Sequence, residues 1–395
     1  MQLKLPRSLA QGRELVPYSA DPAALQPGHR IRVLIDGDEA FPAMLAAIAR
    51  ARRHVHLETY IVRADRTGRT FADALSERAR SGVQVRLLYD GFGAFPLSSA
   101  YLADLRRAGV ETLEYRPVRR RRRRWTWKRW LRRDHRKILV VDGEIGFVGG
   151  INIADDYASR SSGGLGWRDT HASIQGPLVS DLEEMFRTTW HDAGGAPYPA
   201  FPPEASESVA VPGSELAAAV GSDLVGRRGM IRRHLVHAIR SARHHVYIAN
   251  AYFVPDRALR RALRRAARRG VDVALIVPGK SDVRSVQWAG ERTYTGLLRD
   301  GVRVNLWVGS HMHAKTVAID DTWASIGSYN LDYISLFWNM EVVVEIVGPE
   351  TPVRLREQFE RDLAHCQALD YATWRRRSWW RRLRSWFFYR FRRFL

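Results

Sequence analysis

Two stretches carry His, Lys and Asp at one spacing: HRKILVVD at 135 to 142 and HAKTVAID at 313 to 320. Positions i and i+2 of a strand share a face, so His135 projects beside Lys137 and His313 beside Lys315. That pairing suits phosphoryl transfer. An imidazole attacks or protonates a phosphorus-bound oxygen, while the adjacent ammonium neutralises the non-bridging oxygens where charge gathers. Turns at Gly149-Gly150 and Gly327-Ser328 follow each motif and let backbone approach an anion. Beyond them Asn152 and Asn330 stand at matching distances, each able to donate amide hydrogens to the same phosphate. Asn152, Asn330 and Ser328 are therefore the candidate substrate-binding residues. A lone copy of the motif would read better as a core strand with a charged end. Its recurrence, with Asn in register, favours a site.

The elements that must position these side chains also recur. AIARARRHVHLETYIV at 47 to 62 matches AIRSARHHVYIANAYFV at 238 to 254, each an amphipathic helix end running into a β-rich strand. Each copy continues with a helix (FADALSERARSG, RALRRALRRAARRG), a strand (VQVRLLYDG, VDVALIVPG) and a further helix (AYLADLRRAGV, YTGLLRDGV). The chain reads as two copies of one α/β unit. Gly109 lies 26 residues before His135 but Gly301 only 12 before His313, so the first copy carries an insertion of 14 residues around Arg119 to Arg124 and TWKRW. Residues 193 to 215, rich in Pro, Gly, Ala and Ser, read as a linker.

A chain of 395 residues exceeds what one core usually supports, which agrees with two domains. The single cysteine, Cys366, excludes an internal disulfide, and no Cys/His spacing suggests structural zinc. No apolar run reaches the 18 residues of a spanning helix, and the N-terminus lacks a signal-peptide core, so the expectation is a peripheral protein. The net charge of +21 calls for an anionic partner, nucleic acid or an anionic lipid surface. Only five of the 63 basic residues are lysine, which makes Lys137 and Lys315 informative: a compact point charge stands where almost every other position has arginine.

HxKxxxxD followed by GG or GS and then Asn, present twice, resembles the phospholipase D superfamily over roughly residues 30 to 370. The resemblance implies an α/β fold: two tandem phospholipase D-like α/β domains, each a mixed sheet flanked by helices, related by a pseudo-twofold axis with the active site between them. The corresponding boundaries are 1–192 for the first domain, with the Arg/Trp insertion near 117–133, 193–215 for the linker, 216–370 for the second domain and 371–395 for a basic aromatic tail. The catalytic set is His135, Lys137, Asp142, His313, Lys315 and Asp320, with Asp142 and Asp320 bracing strand and turn rather than touching substrate. His135 is assigned as nucleophile and His313 as general acid/base, although the pair is better marked than the order. A carboxylate further along each copy orients the imidazole, Asp169 in GWRD and Glu341 in NMEV. No metal or other cofactor is implied, because two lysines supply the positive charge. One position departs from the family pattern: NLDYIS has Ile334 where arginine is common, and keeps Ser335.

Within the superfamily ETYIV, RDHRKILVVDG, FVGGINIADDY, NAYFVPD and IGSYNLDYIS resemble the bacterial cardiolipin synthases. The implied reaction is phosphatidyl transfer between two phosphatidylglycerols, giving cardiolipin and glycerol through a phosphohistidine. Either phosphatidylglycerol or phosphatidylethanolamine fits as donor on these residues. Many members begin with two transmembrane helices, and this chain resembles the shorter, membrane-peripheral kind. The segment from Trp374 to Leu395 holds nine arginines and no acid, and with Tyr371 it brings ten aromatics. Aromatic rings settle at headgroup level while arginine stems reach phosphates, so this tail and the Arg/Trp insertion are expected to hold the protein on an anionic membrane, at the cytoplasmic face of the cell membrane. The alternative is a phospholipase D-type phosphodiesterase acting on other phospholipids or on nucleic acid, since arginine with aromatics also tracks single strands. The lipid-like motifs favour the first reading, and no nucleic-acid partner is expected.

Overall fold

A computed structural model describes residues 16–95, 97–118, 132–199, 213–222 and 227–395. Most of the Arg/Trp insertion (119–131) and the middle of the linker (200–212) lie outside the described residues. The first half runs β1 (Gln26–Ile35), α1 (Asp36–Arg50), β2 (His54–Thr59), α2 (Arg66–Arg80), β3 (Gln84–Asp90), α3 (Ser99–Arg107), β4 (Glu111–Tyr115), β5 (Ile138–Val141), β6 (Ile145–Gly149), β7 (Thr170–Gln175) and α4 (Leu178–Asp192). The second runs β8 (Glu215–Ser222), α5 (Met230–Ser241), β9 (His245–Asn250), α6 (Arg257–Arg268), β10 (Asp272–Pro278), α7 (Arg284–Arg299), β11 (Arg303–Trp307), β12 (Lys315–Ile319), β13 (Trp323–Gly327), α8 (Tyr333–Phe337), β14 (Glu341–Val347) and α9 (Glu350–Leu363). β15 (Cys366–Ala368), α10 (Tyr371–Arg375) and α11 (Trp379–Arg390) close the chain.

Local chemistry repeats along with the elements. Asp65 caps α2 by accepting from the Gly68 amide at 2.9 Å, and Asp256 caps α6 by accepting from Leu259 at 2.9 Å. In each half the three strands around the α/β crossovers are parallel (β2, β3, β4 and β9, β10, β11), and the hairpin carrying the HxK motif is added antiparallel. The mixed sheet flanked by helices is therefore present in both halves. The repeat did not include β1 and β8, whose pairing (Gln26 with Ala217, His29 with Glu215) joins the halves into one 15-stranded sheet.

Burial explains how the halves hold together. One apolar cluster lies under α1 to α3 and another under α5 to α7. A third is shared: Ile138, Val140 and Val148 of the first half pack in one cluster with Ala318, Ile326 and Val342 of the second. The motif strands are thus apolar on both faces: in β5 one face meets α1 and α2, and the other meets α4 together with the opposite half. This shared core brings the N-terminal ends of β5 and β12 to the same place.

Candidate active site

His135 precedes β5 and His313 precedes β12, and each is buried at the junction of the two halves. Their positions are fixed by two bridges that cross the pseudo-twofold axis. Asp134 pairs with Met340, and the His135 amide donates to the Met340 carbonyl at 3.0 Å. Arg168 pairs with Met312, and the His313 amide donates to the Arg168 carbonyl at 2.7 Å. Each histidine is therefore delivered to the carboxylate of the other copy. His135 Nδ1 lies 3.0 Å from Glu341 Oε2, and His313 Nδ1 lies 2.7 Å from Asp169 Oδ2.

Three groups approach Nδ1 of His313, which holds only one hydrogen or one lone pair. Asp169 is nearest, ahead of Lys315 Nζ at 2.9 Å and the Tyr157 hydroxyl at 3.3 Å, and it is the one with a full negative charge. The Nδ1 hydrogen goes to Asp169, and Nε2 is left for the cavity. The same logic at Glu341 frees Nε2 of His135. Lys137 donates to the His135 carbonyl at 2.6 Å, and Lys315 donates to that of His313.

The electrostatics are those of two histidines and two lysines buried together with two carboxylates. Burial pulls the His313 pKa down to about 4, with the Lys315 charge adding to the effect, and burial lowers His135 also. Lys137 falls to about 7, through burial and then the Lys315 charge against the pull of Glu341. Burial lowers Lys315 too. For Asp169 burial acts upward, but Lys315 and His313 outweigh it and hold the carboxyl below its ordinary range. Glu341 behaves alike, with His135, Lys137 and Ser328 overcoming burial.

Both histidines open onto one cavity of about 580 Å³, which Asn152 and Asn330 also line. The two asparagines differ. Asn152 is engaged at both ends, accepting from the Ile61 amide at 3.1 Å and donating to Tyr157 at 2.7 Å. The Asn330 side-chain oxygen is buried with no hydrogen-bond partner. An acceptor left unpartnered at a cavity wall, in a residue 2% exposed, suits a donor such as a headgroup hydroxyl.

Lys137 and Lys315 are buried beside the histidines and do not line the cavity, and Ser328, Asp142 and Asp320 stand apart from it too. Ser328 is fully buried and donates to Glu341, joined by Ser335 at 2.7 Å and Asn339 at 3.3 Å, so it positions the carboxylate and does not line the cavity. Its counterpart Gly150 lies against Asp169, where an added Cβ would come within 2.2 Å of the carboxylate. Asp142 and Asp320, grouped with the catalytic motif, stand at the far ends of β5 and β12. Asp142 accepts from the amides of Arg52, Arg53 and His54 at 2.7 to 2.9 Å, and Asp320 from Arg243, His244 and His245 at 2.6 to 2.8 Å. Both have φ near +55° and lock the turn onto the start of the neighbouring strand.

The structure adds aromatic and acidic residues to the cavity. Tyr60 packs edge-on to His135 with ring centroids 4.8 Å apart, and Tyr252 stands 6.2 Å from His313. They hold equivalent places in ETYIV and NAYFV, so the repeat carried a signal for them. Tyr157, Trp167 and Asp282 complete the His313 side and have no such signal. Among the described residues one group, His54, His56 and Glu183, brings ligand-type atoms within 4.8 Å of one another, away from this cavity. There Glu183 takes the His56 Nδ1 hydrogen at 2.7 Å and Arg86 donates to Nε2 at 3.0 Å, so His56 has both nitrogens in hydrogen bonds.

Doubled mixed sheets with two His-Lys pairs meeting at their junction define the phospholipase D class of phosphotransfer enzymes. A family model described as cardiolipin synthase, PLD-like domain, matches residues 44–190 and 235–363. Cardiolipin synthase 1 of Bacillus cereus is 34% identical over 358 residues, covering 88% of this chain and 69% of that protein. The cardiolipin synthase of Halalkalibacterium halodurans is 36% identical over 355 residues, covering 89% and 69%. The chain belongs to the cardiolipin synthase family of phospholipase D-like proteins. The fold is also similar to the crystal structure of phosphatidylserine synthase from Haemophilus influenzae (TM-score 0.64, 13% identity, covering 86% of this chain and 87% of that one). Polyphosphate kinase from Porphyromonas gingivalis gives a TM-score of 0.56 at 14% identity, over 87% of this chain and 49% of that one.

Proposed function

We propose that this chain is a phosphatidyltransferase that makes cardiolipin and glycerol from two phosphatidylglycerols, with His135 as nucleophile and His313 as general acid/base. The observation that carries it is the convergence of two Nδ1-anchored histidines on one cavity that Asn330 also lines. With Glu341 accepting the Nδ1 hydrogen, the Nε2 lone pair of His135 attacks phosphorus. The bond from phosphorus to the glycerol oxygen breaks, and His313, which takes a proton from solvent onto Nε2 as the phosphodiester anion binds beside it, gives that oxygen its proton. A second headgroup hydroxyl then loses its proton to His313 and attacks the phosphohistidine, breaking the P–N bond and freeing His135. Lys137, Lys315 and Asn330 meet the non-bridging oxygens through both steps. The charge of Asp169 stabilises the imidazolium of His313 when it holds the proton.

Among the described residues no helix is long and apolar enough to cross a membrane. Membrane association is proposed to rest on the C-terminal segment at the cytoplasmic face, with the Arg/Trp insertion contributing from outside the described residues. Exposed Trp379, Trp380, Trp386 and Phe387 support this, since rings of this kind belong at the headgroup level. The test is to incubate the purified chain with phosphatidylglycerol vesicles and, separately, with labelled single-stranded DNA. Cardiolipin with released glycerol is expected from the first and no cleavage from the second; DNA cleavage without cardiolipin would replace this reading with a nuclease.

A further inference from the structure

The C-terminal segment does more than leave aromatic rings in solvent: it reaches the catalytic cavity. Phe394 and Leu395 line that cavity, together with Val283, Val286 and Ile334. Leu395 packs with Phe388 and Tyr389 against Val254, Val286, Ala289 and Tyr333. The segment is fixed there by polar contacts as well. Trp338 donates its indole hydrogen to the Arg393 carbonyl at 3.1 Å, and Arg384 and Ser385 both donate to Glu291, at 3.2 and 3.1 Å. Arg384 also lies 4.6 Å from the Trp288 ring centre, and Arg392 lies 5.3 Å from that of Tyr333.

Docking uses one side of α11 and leaves a mixture of apolar rings and arginines exposed. Trp379, Leu383 and Trp386 follow helical spacing, flanked by Trp380 and Phe387, and all five are exposed. Past the helix end the run continues through Phe391 to Phe394, which is 55% exposed while also bordering the cavity. A run of large exposed apolar side chains of this extent marks a contact surface. Its occupant must have a long apolar part, to follow the run, and a phosphate, to use the histidines where the run ends. Exposed arginines at 381, 382, 390 and 393 lie beside the rings, a mixture that suits anionic headgroups above hydrocarbon.

We propose that the acyl chains of the phospholipid reach the histidines along this segment, over an apolar wall of Val283, Val286, Ile334, Phe394 and Leu395. The C-terminal segment is then part of the substrate site as well as a membrane contact. Ile334 takes on a meaning here. An arginine, common at that position, would place a cation in the hydrocarbon path, and isoleucine continues it. The proposal rests on the lipid reading above and goes beyond it in naming the route.

The experiment compares the full chain with Phe394→Ala, Ile334→Asn and the conservative Phe394→Leu. Cardiolipin formation is measured on long-chain phosphatidylglycerol in mixed micelles and on dihexanoyl phosphatidylglycerol as monomers, with vesicle co-sedimentation and melting temperature measured alongside. Phe394→Ala and Ile334→Asn are expected to raise KM for the long-chain lipid about tenfold. The short-chain kcat/KM should fall markedly less than the long-chain value, vesicle binding should stay within about twofold, and Phe394→Leu should restore KM. Equal losses on both lipids, losses that follow vesicle binding, or no loss at all would overturn the route. An unmodified chain that converts neither lipid overturns the lipid reading itself, and this proposal with it.

Discussion

Asp169, in the first repeat, accepts the Nδ1 hydrogen of His313, in the second, at 2.7 Å, and Glu341 returns the arrangement to His135. Each catalytic dyad is built from both halves, so neither half holds a complete one. The reason lies in the two backbone bridges, Asp134 with Met340 and Arg168 with Met312, which set each His-bearing segment alongside the carboxylate-bearing segment of the other copy.

This crossing separates the two steps of the reaction. His135→Ala and His313→Ala should both abolish transfer from phosphatidylglycerol while leaving a folded protein. With a nitrophenyl phosphodiester, whose leaving group needs no proton, His313→Ala and Asp169→Asn should still phosphorylate His135 and then stall. His135→Ala should give no phosphoenzyme, and Glu341→Gln should slow its formation by on the order of 10³-fold or more. Acid-labile ³²P on His313 in place of His135 would reverse the assignment.

Lys137 predicts the alkaline limb of the pH profile. Burial and the neighbouring Lys315 lower its pKa to about 7, so in the free enzyme its charge is present below pH 7 and lost above it. Since the charge must meet phosphate, kcat/KM should fall through pH 7 to 8. The limb in kcat should lie higher, because bound phosphodiester supplies the missing counter-charge. Lys137→Arg stays protonated and should flatten the alkaline limb, at a lower maximum because a planar fork replaces a point charge. A wild-type kcat/KM that is level from pH 7 to 9 would rule out this role.

Asp142 and Asp320 should matter for stability and little for chemistry. Each carboxylate accepts three backbone amides, and hydrogen bonds to a charged group contribute about 1.5–3 kcal/mol each without full additivity. Asp142→Ala should lower unfolding free energy by about 3 kcal/mol in urea titration, while activity per folded molecule stays within a few-fold. Asp142→Asn should cost less, because asparagine tolerates the positive φ. A large loss of kcat in a protein of normal stability would contradict this division.

The membrane contact is best tested without removing the wall it forms. Because Phe394 and Leu395 border the cavity, deleting 374 to 395 would be expected to reduce vesicle binding and detergent-phase turnover together. Replacing Trp379, Trp380 and Trp386 with serine leaves that wall in place. It should weaken binding to phosphatidylglycerol vesicles at least tenfold while sparing turnover of monomeric short-chain lipid. Unchanged vesicle binding would move the contact elsewhere on the protein.

Much of this molecule was legible in one dimension. The doubled spacing of His, Lys, Asp and Asn, the matched helix and strand patterns and the cap aspartates follow from local rules, since side-chain period and capping depend on near neighbours. Tyr60 and Tyr252 were legible too, once the copies were aligned. What the residues alone could not disclose is which carboxylate serves which histidine, because local pattern says nothing about how two halves dock. The same holds for Ser328, read as a phosphate contact and placed by the fold under Glu341, and for Phe394 and Leu395, whose place on the cavity wall depends on where α11 docks. The sequence by itself determined the parts list, the doubling and the phosphoryl chemistry. Tertiary structure decided the pairing across the axis, the unpartnered oxygen of Asn330 against the engagement of Asn152 at both ends, and the entry of the C-terminal segment into the site, since each depends on how distant parts of the chain pack.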